Sequence, residues 1–205
     1  NTVLHEAVIT DAHGSMYTKT GDTVSVQNSE WYQMAISGKN FMTEPQESVT
    51  DGRLILTFAV PIYNANHTII GTIAAGVLAE WLSQTISDIV VGQTGYCHVV
   101  GRNGVIIAHK NFDWVTQKFN GAGKGKQDAA YASYGQFIQS ILNAEKSAVG
   151  FYEYSGYHYI ASYAKVTETG RTVIITAPYN EFMGTVNTLR NSMIGIGVII
   201  LLIAL

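Results

Sequence analysis

Histidines are the residues of this chain with the widest choice of chemistry, because an imidazole can bind a metal ion or carry a proton in catalysis. The six histidines are His5, His13, His67, His98, His109 and His158. No two of them have the spacing that places both side chains on one face of a helix or in a zinc finger. The single cysteine, Cys97, excludes a cysteine cluster for zinc and an intrachain disulfide. The sequence therefore predicts no metal site and no cofactor.

Two further patterns bear on catalysis. The segment Gly121-Ala-Gly-Lys-Gly-Lys126 resembles a phosphate-binding loop, but its spacing is one residue short of the Walker pattern and Gln127 replaces the expected Ser or Thr. The sequence also has no Gly-x-Ser-x-Gly motif, which presents the nucleophile in many hydrolases. We interpret the glycine-rich segment as a solvated loop, predict no catalytic residues and expect that the protein is not an enzyme.

Charge and hydrophobic content narrow the range of functions further. The chain has 12 lysines and arginines against 15 aspartates and glutamates, and no run of basic residues that would neutralise phosphates. Nucleic acid is therefore not an expected partner. Hydrophobic residues make up 47% of the sequence, which is enough for a packed core in one large domain or two small ones.

The order of turns and strand-forming stretches predicts one plan repeated twice. A hairpin with a glycine in its turn is expected over residues 8–17, and another over residues 99–107. Each is followed by a more helical stretch and then by two long strands. The long strands are predicted at residues 53–63, 68–78, 157–166 and 171–178. This order predicts an α+β fold of two tandem PAS-like modules with antiparallel sheets.

We expect four segments along the chain. They are a first module over residues 1–80, a connecting helix and turn over 81–94, a second module over 95–183, and a juxtamembrane helix with the start of a transmembrane helix over 184–205. Apolar residues at helical spacing predict helices over 78–91 and 127–144. The segment 119–125, rich in Gly, Asn and Lys, is predicted to be a loop.

The end of the chain is a continuous apolar run of 13 residues, from Met193 to Leu205. A helix needs about 20 apolar residues to span a membrane, and we interpret this run as the first part of such a helix, entering the membrane at about Asn191. The alternatives are a buried core helix or a re-entrant segment, although a core helix usually has polar residues on one face. The first residues have neither a basic start nor a long apolar stretch, so we expect an amino-terminal part to be absent from this sequence.

Several local sequences together resemble double Cache sensor domains. They are Ser29-Glu-Trp-Tyr-Gln-Met-Ala-Ile-Ser-Gly-Lys39, Leu56-Thr-Phe-Ala-Val-Pro-Ile-Tyr63, Ile70-Gly-Thr-Ile73 and Gly95-Tyr-Cys-His-Val-Val-Gly-Arg-Asn-Gly-Val-Ile-Ile-Ala-His109. The resemblance implies two stacked modules beside a long amino-terminal helix, which this sequence lacks. It also implies the extracytoplasmic part of a cell-membrane receptor, usually a homodimeric methyl-accepting chemotaxis protein and less often a sensor histidine kinase or diguanylate cyclase.

The resemblance places the ligand in the first, membrane-distal module. Family members that sense amino acids carry an Arg two residues before a Trp-Tyr pair and an Asp on the last strand of that module. These residues pair with the α-carboxylate and the α-ammonium of the ligand. This chain has Trp31 and Tyr32, but Ser29 stands at the Arg position and Gly76 at the Asp position. Amino-acid binding by that mode is therefore not expected.

The remaining positions of the expected site are aromatic, small or neutral. The predicted ligand-binding residues are Trp31, Tyr32, Gln46, Ser48, Thr57, Ala59 and Gly76. They suit an uncharged or weakly charged metabolite, such as a planar heterocycle stacked on an aromatic ring. We expect Asp51 and Arg53 to lie in solvent. The alternatives to a chemoreceptor are a sensor attached to a kinase or cyclase, a membrane-anchored module that binds another protein, and a membrane-tethered enzyme.

Overall fold

Two antiparallel sheets form the protein, and each begins with a hairpin that turns at a glycine. The computed structural model describes residues 4–17, 21–48, 51–167 and 169–184, with residues 190, 192–194 and 196. Gly14 and Gly104 have φ angles of +79° and +84°, the left-handed conformation that glycine adopts without strain. The predicted α+β class with two antiparallel sheets is confirmed.

The first sheet contains seven strands in the described part of the chain. They are β1 (Leu4–Asp11), β2 (Ser15–Tyr17), β3 (Thr23–Ser25), β4 (Phe41–Met42), β5 (Gln46–Glu47), β6 (Leu54–Tyr63) and β7 (Ile69–Leu78). The order across the sheet is β3-β2-β1-β7-β6-β4, and β5 also pairs with β6. Helix α1 (Glu30–Ile36) packs on this sheet through three buried side chains, Trp31, Tyr32 and Ala35.

The second sheet contains six strands among the described residues. They are β8 (Val90–Val91), β9 (Gly95–Val100), β10 (Ile106–His109), β11 (Ala148–Tyr154), β12 (Tyr157–Val166) and β13 (Arg171–Pro178). The order is β10-β9-β13-β12-β11, and β8 pairs with β9. The helices around it are α2 (Ala79–Ser87), α3 (Asp113–Thr116), α4 (Gly121–Gln127) and α5 (Ala132–Leu142), with a 3₁₀ turn at Ala129–Tyr131.

The two sheets share part of one hydrophobic core. Leu56 and Met42 of the first sheet belong to the same buried cluster as Val100, Ile106 and Ile174 of the second sheet. Helix α2 joins the sheets and buries Ala79, Ser83 and Ile86. It ends at Ser87, four residues before the predicted end, because Val90–Val91 pairs with β9 as a strand. The predicted module boundaries stay a prediction.

The segment 119–125 also differs from its predicted structure. Residues 119–125 were expected to form a loop, but helix α4 begins at Gly121, and the Asn120 side chain accepts a hydrogen bond from the backbone N–H of Gly123. Glycine lowers helix propensity, yet here it permits a close helix crossing. A Cβ built on Gly125 would lie 2.7 Å from Cα of Gly135 in α5. The prediction was wrong because tertiary packing outweighs local propensity in this helix.

Replacing Gly125 should destabilise the protein, whereas replacing Gly123 in the same helix should not. Gly125→Ala forces α4 and α5 apart, and overpacking of this kind costs about 1 to 3 kcal/mol. A Cβ at Gly123 would meet no atom closer than 3.5 Å, so Gly123→Ala should raise stability by up to about 1 kcal/mol through helix propensity. Urea unfolding of the two variants measures the difference. Equal stabilities would contradict this account of the crossing.

The chain leaves the second sheet through helical residues 179–184, which follow β13 directly. Glu181 Oε2 accepts hydrogen bonds from the backbone N–H groups of Gln93 at 2.7 Å and Thr94 at 3.2 Å, and the Thr94 hydroxyl donates to Oε1 at 2.5 Å. The Thr94 hydroxyl and these N–H groups lower the pKa of Glu181. The carboxyl end of β13 is thereby tied to the turn that precedes β9.

The apolar end of the chain lies mostly outside the described residues. Met193, Ile194 and Ile196 are helical and exposed, whereas Asn191 and residues 197–205 are not described. No helix within the described residues has the length and apolar character needed to cross a membrane. The predicted transmembrane helix therefore stays a prediction.

Candidate functional site

A cavity of about 700 Å³ opens between the first sheet, helix α1 and the β4–β5 segment. Cavities of this size hold small metabolites. Its apolar wall comes from side chains on strands β1, β2, β3, β6 and β7, from Val26 beside β3 and from Trp31. The other apolar lining residues are Ala7, Val8, Met16, Val24, Ile55 and Ala74. The cavity therefore offers a hydrophobic surface that could cover the body of a small ligand.

Five of the seven predicted site residues line this cavity. They are Trp31, Gln46, Ser48, Thr57 and Gly76. The other two are not among its lining residues. Tyr32 points to the β1–β2 hairpin, where its hydroxyl donates to the carbonyl of Ala12 at 2.9 Å. Ala59 is buried and pairs with Phe41 and Ala74 on the neighbouring strands.

A hydrogen-bonded polar group forms one side of the cavity. Gln46 Nε2 donates to the Thr57 hydroxyl at 3.3 Å. Backbone N–H of Thr57 donates to the Thr43 hydroxyl at 3.0 Å, and backbone N–H of Thr43 donates to the Thr57 carbonyl at 2.9 Å. Thr43 and Thr57 are both buried. This paired arrangement fixes the position of the Gln46 amide at the cavity surface.

The side chain of Glu6 lies where a side chain on residue 76 would otherwise be. Glu6 pairs with Gly76 across β1 and β7, and a register shift between Leu4 and Glu6 marks a bulge at His5. A Cβ on Gly76 would lie 2.7 Å from Glu6 Cγ and 3.2 Å from Glu6 Oε1. Glu6 of the neighbouring strand therefore places a carboxylate beside residue 76, the position at which the family resemblance implied an Asp. A bulge re-aims the side chains beside it, and both His5 and Glu6 line the cavity.

The mouth of the cavity carries a second charged group, centred on Asp51. Asp51 Oδ2 lies 2.7 Å from Arg53 Nε and 3.3 Å from His5 Nε2, and the hydrogen bonds from Arg53 lower the pKa of Asp51. Arg53 Nη2 lies 2.8 Å from His5 Nδ1. Arg53 is exposed, as expected. Asp51 is exposed too, as expected, but it also lines the mouth of the cavity.

The cavity is acidic, which corrects the prediction of a neutral lining. Its ionisable lining residues are Glu6, Glu30, Glu47, Asp51 and His5, and none of the described lining residues is a lysine or arginine. Ser48 donates to Glu6 Oε2 at 3.4 Å. The alternation of inward-facing residues along β1 could have indicated Glu6, because Glu6, Val8 and Thr10 are two residues apart.

The interior of the second sheet is packed with aromatic rings. Trp114 stacks between His109 and Phe119, with ring centroids 4.6 and 4.7 Å apart, so it belongs to the packed interior. Backbone N–H of Asn111 donates to His109 Nδ1 at 2.9 Å, which fixes the imidazole in the interior. Burial lowers the pKa of His98 to about 3 and that of His109 to about 4. Both histidines are therefore neutral at physiological pH.

A shallower surface concavity of about 560 Å³ lies on β11 and β12 beside Tyr179. Phe151 and His158 line it, and His158 Nδ1 lies 2.9 Å from Glu153 Oε1. Within the described part of the chain, no three His, Cys, Asp or Glu side chains group closely enough to hold a metal ion. The first cavity, which encloses buried polar groups and carboxylates, is the stronger candidate site.

Comparison with known proteins gives one family that covers most of the chain. The model of the family dCache_1, described as a Cache domain, matches residues 1–186. The methyl-accepting chemotaxis protein McpB of Bacillus subtilis is 27% identical over 99 residues, which are 43% of this chain and 14% of that protein. The methyl-accepting chemotaxis protein TlpA of the same organism is 30% identical over 82 residues, 39% of this chain and 12% of that protein. The chain thus matches only about one seventh of either relative.

Solved structures share the fold at low sequence identity. The ligand-binding domain of the Pseudomonas fluorescens chemoreceptor CtaA, in complex with L-isoleucine, has a TM-score of 0.66 and 16% identity over 87% of this chain and 71% of that chain. The extracellular domain of the putative histidine kinase mmHK1S-Z3 has a TM-score of 0.65 and 20% identity over 92% and 78% of the two chains. The Pseudomonas aeruginosa amino acid chemoreceptor PctB with L-Arg has a TM-score of 0.62 and 17% identity over 85% and 71%.

Proposed function

The chain belongs to the dCache_1 family of Cache domains, and on this premise we propose that it is the ligand-sensing part of a transmembrane chemoreceptor. The printed names of the relatives support this function, since McpB and TlpA are methyl-accepting chemotaxis proteins. A histidine kinase is the alternative host, because one structural neighbour is the extracellular domain of a putative histidine kinase. The proposal assigns no catalysis to the chain.

The proposed receptor holds this domain outside the cytoplasm. The first sheet belongs to the membrane-distal module, and the chain enters the membrane through the segment 184–205. Homodimerisation is proposed from the family resemblance. Ligand binding can shift such a receptor between signalling states only if the two states bind the ligand with different affinities.

The proposed ligand site is the cavity of the first sheet. Trp31, Gln46, Ser48, Thr57 and Gly76 are its proposed contact residues, and Glu6 joins them. Tyr32 and Ala59 are proposed to support the cavity from behind, since neither is among its lining residues. Structural neighbours that bind L-isoleucine and L-Arg support a small molecule as the ligand.

The ligand we propose is a small organic cation, and the observation that carries this proposal is the Glu6 carboxylate beside Gly76. A carboxylate attracts a cation 4 Å away by up to about 4 kcal/mol at an effective dielectric constant of 20. Trp31 adds an aromatic surface that favours cations. Ser29 lines the cavity at the position where amino-acid sensors have an arginine, so a ligand carboxylate would lack its partner.

This ligand class revises the expectation of an uncharged or weakly charged metabolite. A planar heterocycle still fits if it carries a positive charge. The charge can lie on the ring, as in a protonated imidazole, or on an aminoalkyl group attached to the ring. A neutral ligand of the same shape would gain no attraction from the negative charge of the cavity. The acidic lining therefore favours amines and quaternary ammonium compounds over alcohols of equal size.

Thermal-shift and calorimetric titrations with matched pairs of compounds test this proposal. Choline is compared with its uncharged isostere 3,3-dimethylbutan-1-ol, and 2-phenylethylamine with 2-phenylethanol. We expect at least one amine of the panel, which also includes histamine, to raise the melting temperature, because a compound that binds only the folded state stabilises it. The uncharged member of the same pair should give at least about a tenfold weaker affinity.

Three outcomes would count against parts of the proposal. Equal affinities for the charged and the uncharged member of a pair would show that ligand charge does not contribute to binding. Binding of L-isoleucine with an affinity equal to that of the amines would show that the site accepts a carboxylate without an arginine. If no small molecule of any charge changed the melting temperature, the chain would be better explained as a module that binds another protein.

A further inference from the structure

Arg171 joins the second sheet to the wall of the cavity in the first sheet. It is the first residue of β13 and is 3% exposed. Its Nη2 donates to the carbonyl oxygens of Met42 at 2.6 Å and Thr43 at 2.7 Å, both at the end of β4. Its Nη1 donates to the Thr169 carbonyl at 3.1 Å. One planar guanidinium group therefore holds backbone atoms of both sheets.

Thr43 is held from both sides. Its carbonyl accepts from Arg171, while its N–H and its hydroxyl bond to the backbone of Thr57. Thr43 and Thr57 both line the cavity, and the Thr57 hydroxyl accepts from Gln46. Movement of this wall when a ligand enters would therefore act directly on Arg171.

The other end of β13 leads out of the domain. The strand pairs with β12 over its whole length and with β9 from Thr172 to Thr176. It spans roughly 25 Å from Arg171 to Pro178 and continues into helical residues 179–184. Glu181 in that helical segment bonds to Gln93 and Thr94 before β9. A rigid paired strand therefore connects the back of the cavity with the segment that leaves the second sheet.

A buried arginine such as Arg171 would be unusual if its only role were to fill space between the sheets. Burial lowers its pKa, and Glu44, whose Oε1 lies 3.7 Å from Arg171 Nη2, opposes that effect. The buried atoms Arg171 Nε and Glu44 Oε2 have no hydrogen-bond partner among the described residues. A buried ion contact of this kind contributes little to stability compared with packed apolar residues, and its best-attested role is to fix a register or a switch.

We propose that Arg171 is a positioning residue that couples the cavity to β13. Met42, Thr43 and Glu44 shift together with the first residues of β13, so that the state of the cavity reaches the exit segment through this strand. The proposal rests on the proposed function in taking the cavity as the ligand site. Its central test needs no ligand, so the coupling and the ligand class can fail separately.

Amide hydrogen exchange of the whole chain without ligand provides that test. Arg171→Met should speed exchange at the N–H groups of Thr43 and Thr57 at least about tenfold, because their support from the second sheet is lost. Lys165→Met is the matched control, since Lys165 Nζ also donates to two carbonyls, those of Leu142 at 3.3 Å and Ala144 at 3.1 Å. These partners lie away from the first sheet, so the control should leave Thr43 and Thr57 unchanged.

Coupling must act in both directions. Thr43→Val removes the hydroxyl that accepts from Thr57, and we expect faster exchange at the N–H groups of Thr172 and Val173 in β13. A structural role of Arg171 limited to its own surroundings would not produce this reverse effect. Unchanged exchange at Thr57 in Arg171→Met, or at β13 in Thr43→Val, would overturn the proposal.

A conservative variant keeps the test decisive if Arg171→Met does not fold. Arg171→Lys retains the charge but loses the planar group that reaches several carbonyls at once, so exchange at Thr43 and Thr57 should rise by an intermediate factor. Wild-type exchange rates in this variant would also overturn the proposal.

The last experiment repeats the amide exchange measurement in the presence of choline. In the wild type choline should slow exchange at both Thr57 and β13, whereas in Arg171→Lys it should slow exchange at Thr57 alone and bind about 5 to 150 times more weakly. Choline-induced slowing of β13 that is undiminished in Arg171→Lys would overturn the coupling. If choline fails to bind the wild type while the ligand-free results hold, choline is excluded as a ligand and the coupling stands. The ligand class falls only if 2-phenylethylamine and histamine also fail to bind.

Discussion

At pH 5 the free energy of unfolding should be about 4 kcal/mol lower than at pH 8, with His98 and His109 each supplying about half of the loss. Burial, followed by the neighbouring His109, lowers the pKa of His98 to about 3, and burial lowers that of His109 to about 4. Both side chains stay neutral in the folded protein at pH 5. In the unfolded chain they take up protons below their ordinary pKa of 6.5. Stability is therefore complete above pH 6.5 and falls as the pH decreases toward 4 and 3.

Urea unfolding at pH 8 and pH 5 measures this loss. His98→Phe should reduce the difference in the free energy of unfolding between pH 8 and pH 5 by about half, whatever its effect on stability at pH 8. His158→Gln is the control, because His158 is 72% exposed and pairs with Glu153 on the surface. Asp11 and Asp51 have a lowered pKa in the folded protein, and their contributions disappear only below their ordinary pKa of 3.8. Full pH dependence in His98→Phe would contradict the assignment to this histidine.

The second prediction with a large effect concerns the negative charge that Glu6 places beside Gly76. Glu6→Gln keeps the shape of the side chain and removes its charge, so it should weaken choline binding by about 10 to 100 times, or about 1.4 to 2.7 kcal/mol. Calorimetric titration measures the change. Glu153→Gln, on the surface of β11, removes a carboxylate remote from the cavity and should leave the affinity as it is.

A double variant separates the charge from the residue that carries it. Glu6→Ala combined with Gly76→Asp returns the carboxylate to β7 and removes the side chain with which it would collide. We expect this variant to regain at least part of the affinity for choline that Glu6→Ala alone loses. If Glu6→Gln binds choline as tightly as the wild type, the carboxylate is not part of the site.

Strands β12 and β13 of the second sheet were predictable because their turns and alternation are local signals. The predicted spans 157–166 and 171–178 coincide with β12 and β13. Helix α4 was missed because a helix with three glycines has a low propensity, and the contact between Gly125 and Gly135 that stabilises it joins separate parts of the sequence. Asn120, which caps this helix, was the local signal that could have indicated it.

The site was predicted less completely than the fold, for two physical reasons. Trp31 and Tyr32 are adjacent on α1, so about 100° of helix rotation directs one ring to the cavity and the other to the hairpin. The carboxylates depend on tertiary structure: Glu6 reaches Gly76 through strand pairing and a bulge, and Asp51 reaches the mouth through its contacts with His5 and Arg53. Inspection of residue 76 alone therefore identifies the glycine but misses the carboxylate that Glu6 places beside it.

The close contact between Glu6 and Gly76 also constrains how receptors of this kind can evolve. A Cβ at residue 76 would lie 2.7 Å from Glu6 Cγ, so the Glu6 side chain must move wherever residue 76 carries a side chain. The two strands are therefore alternative positions for one negative charge. We expect related receptors that prefer cations to carry an acidic residue on one strand or on the other.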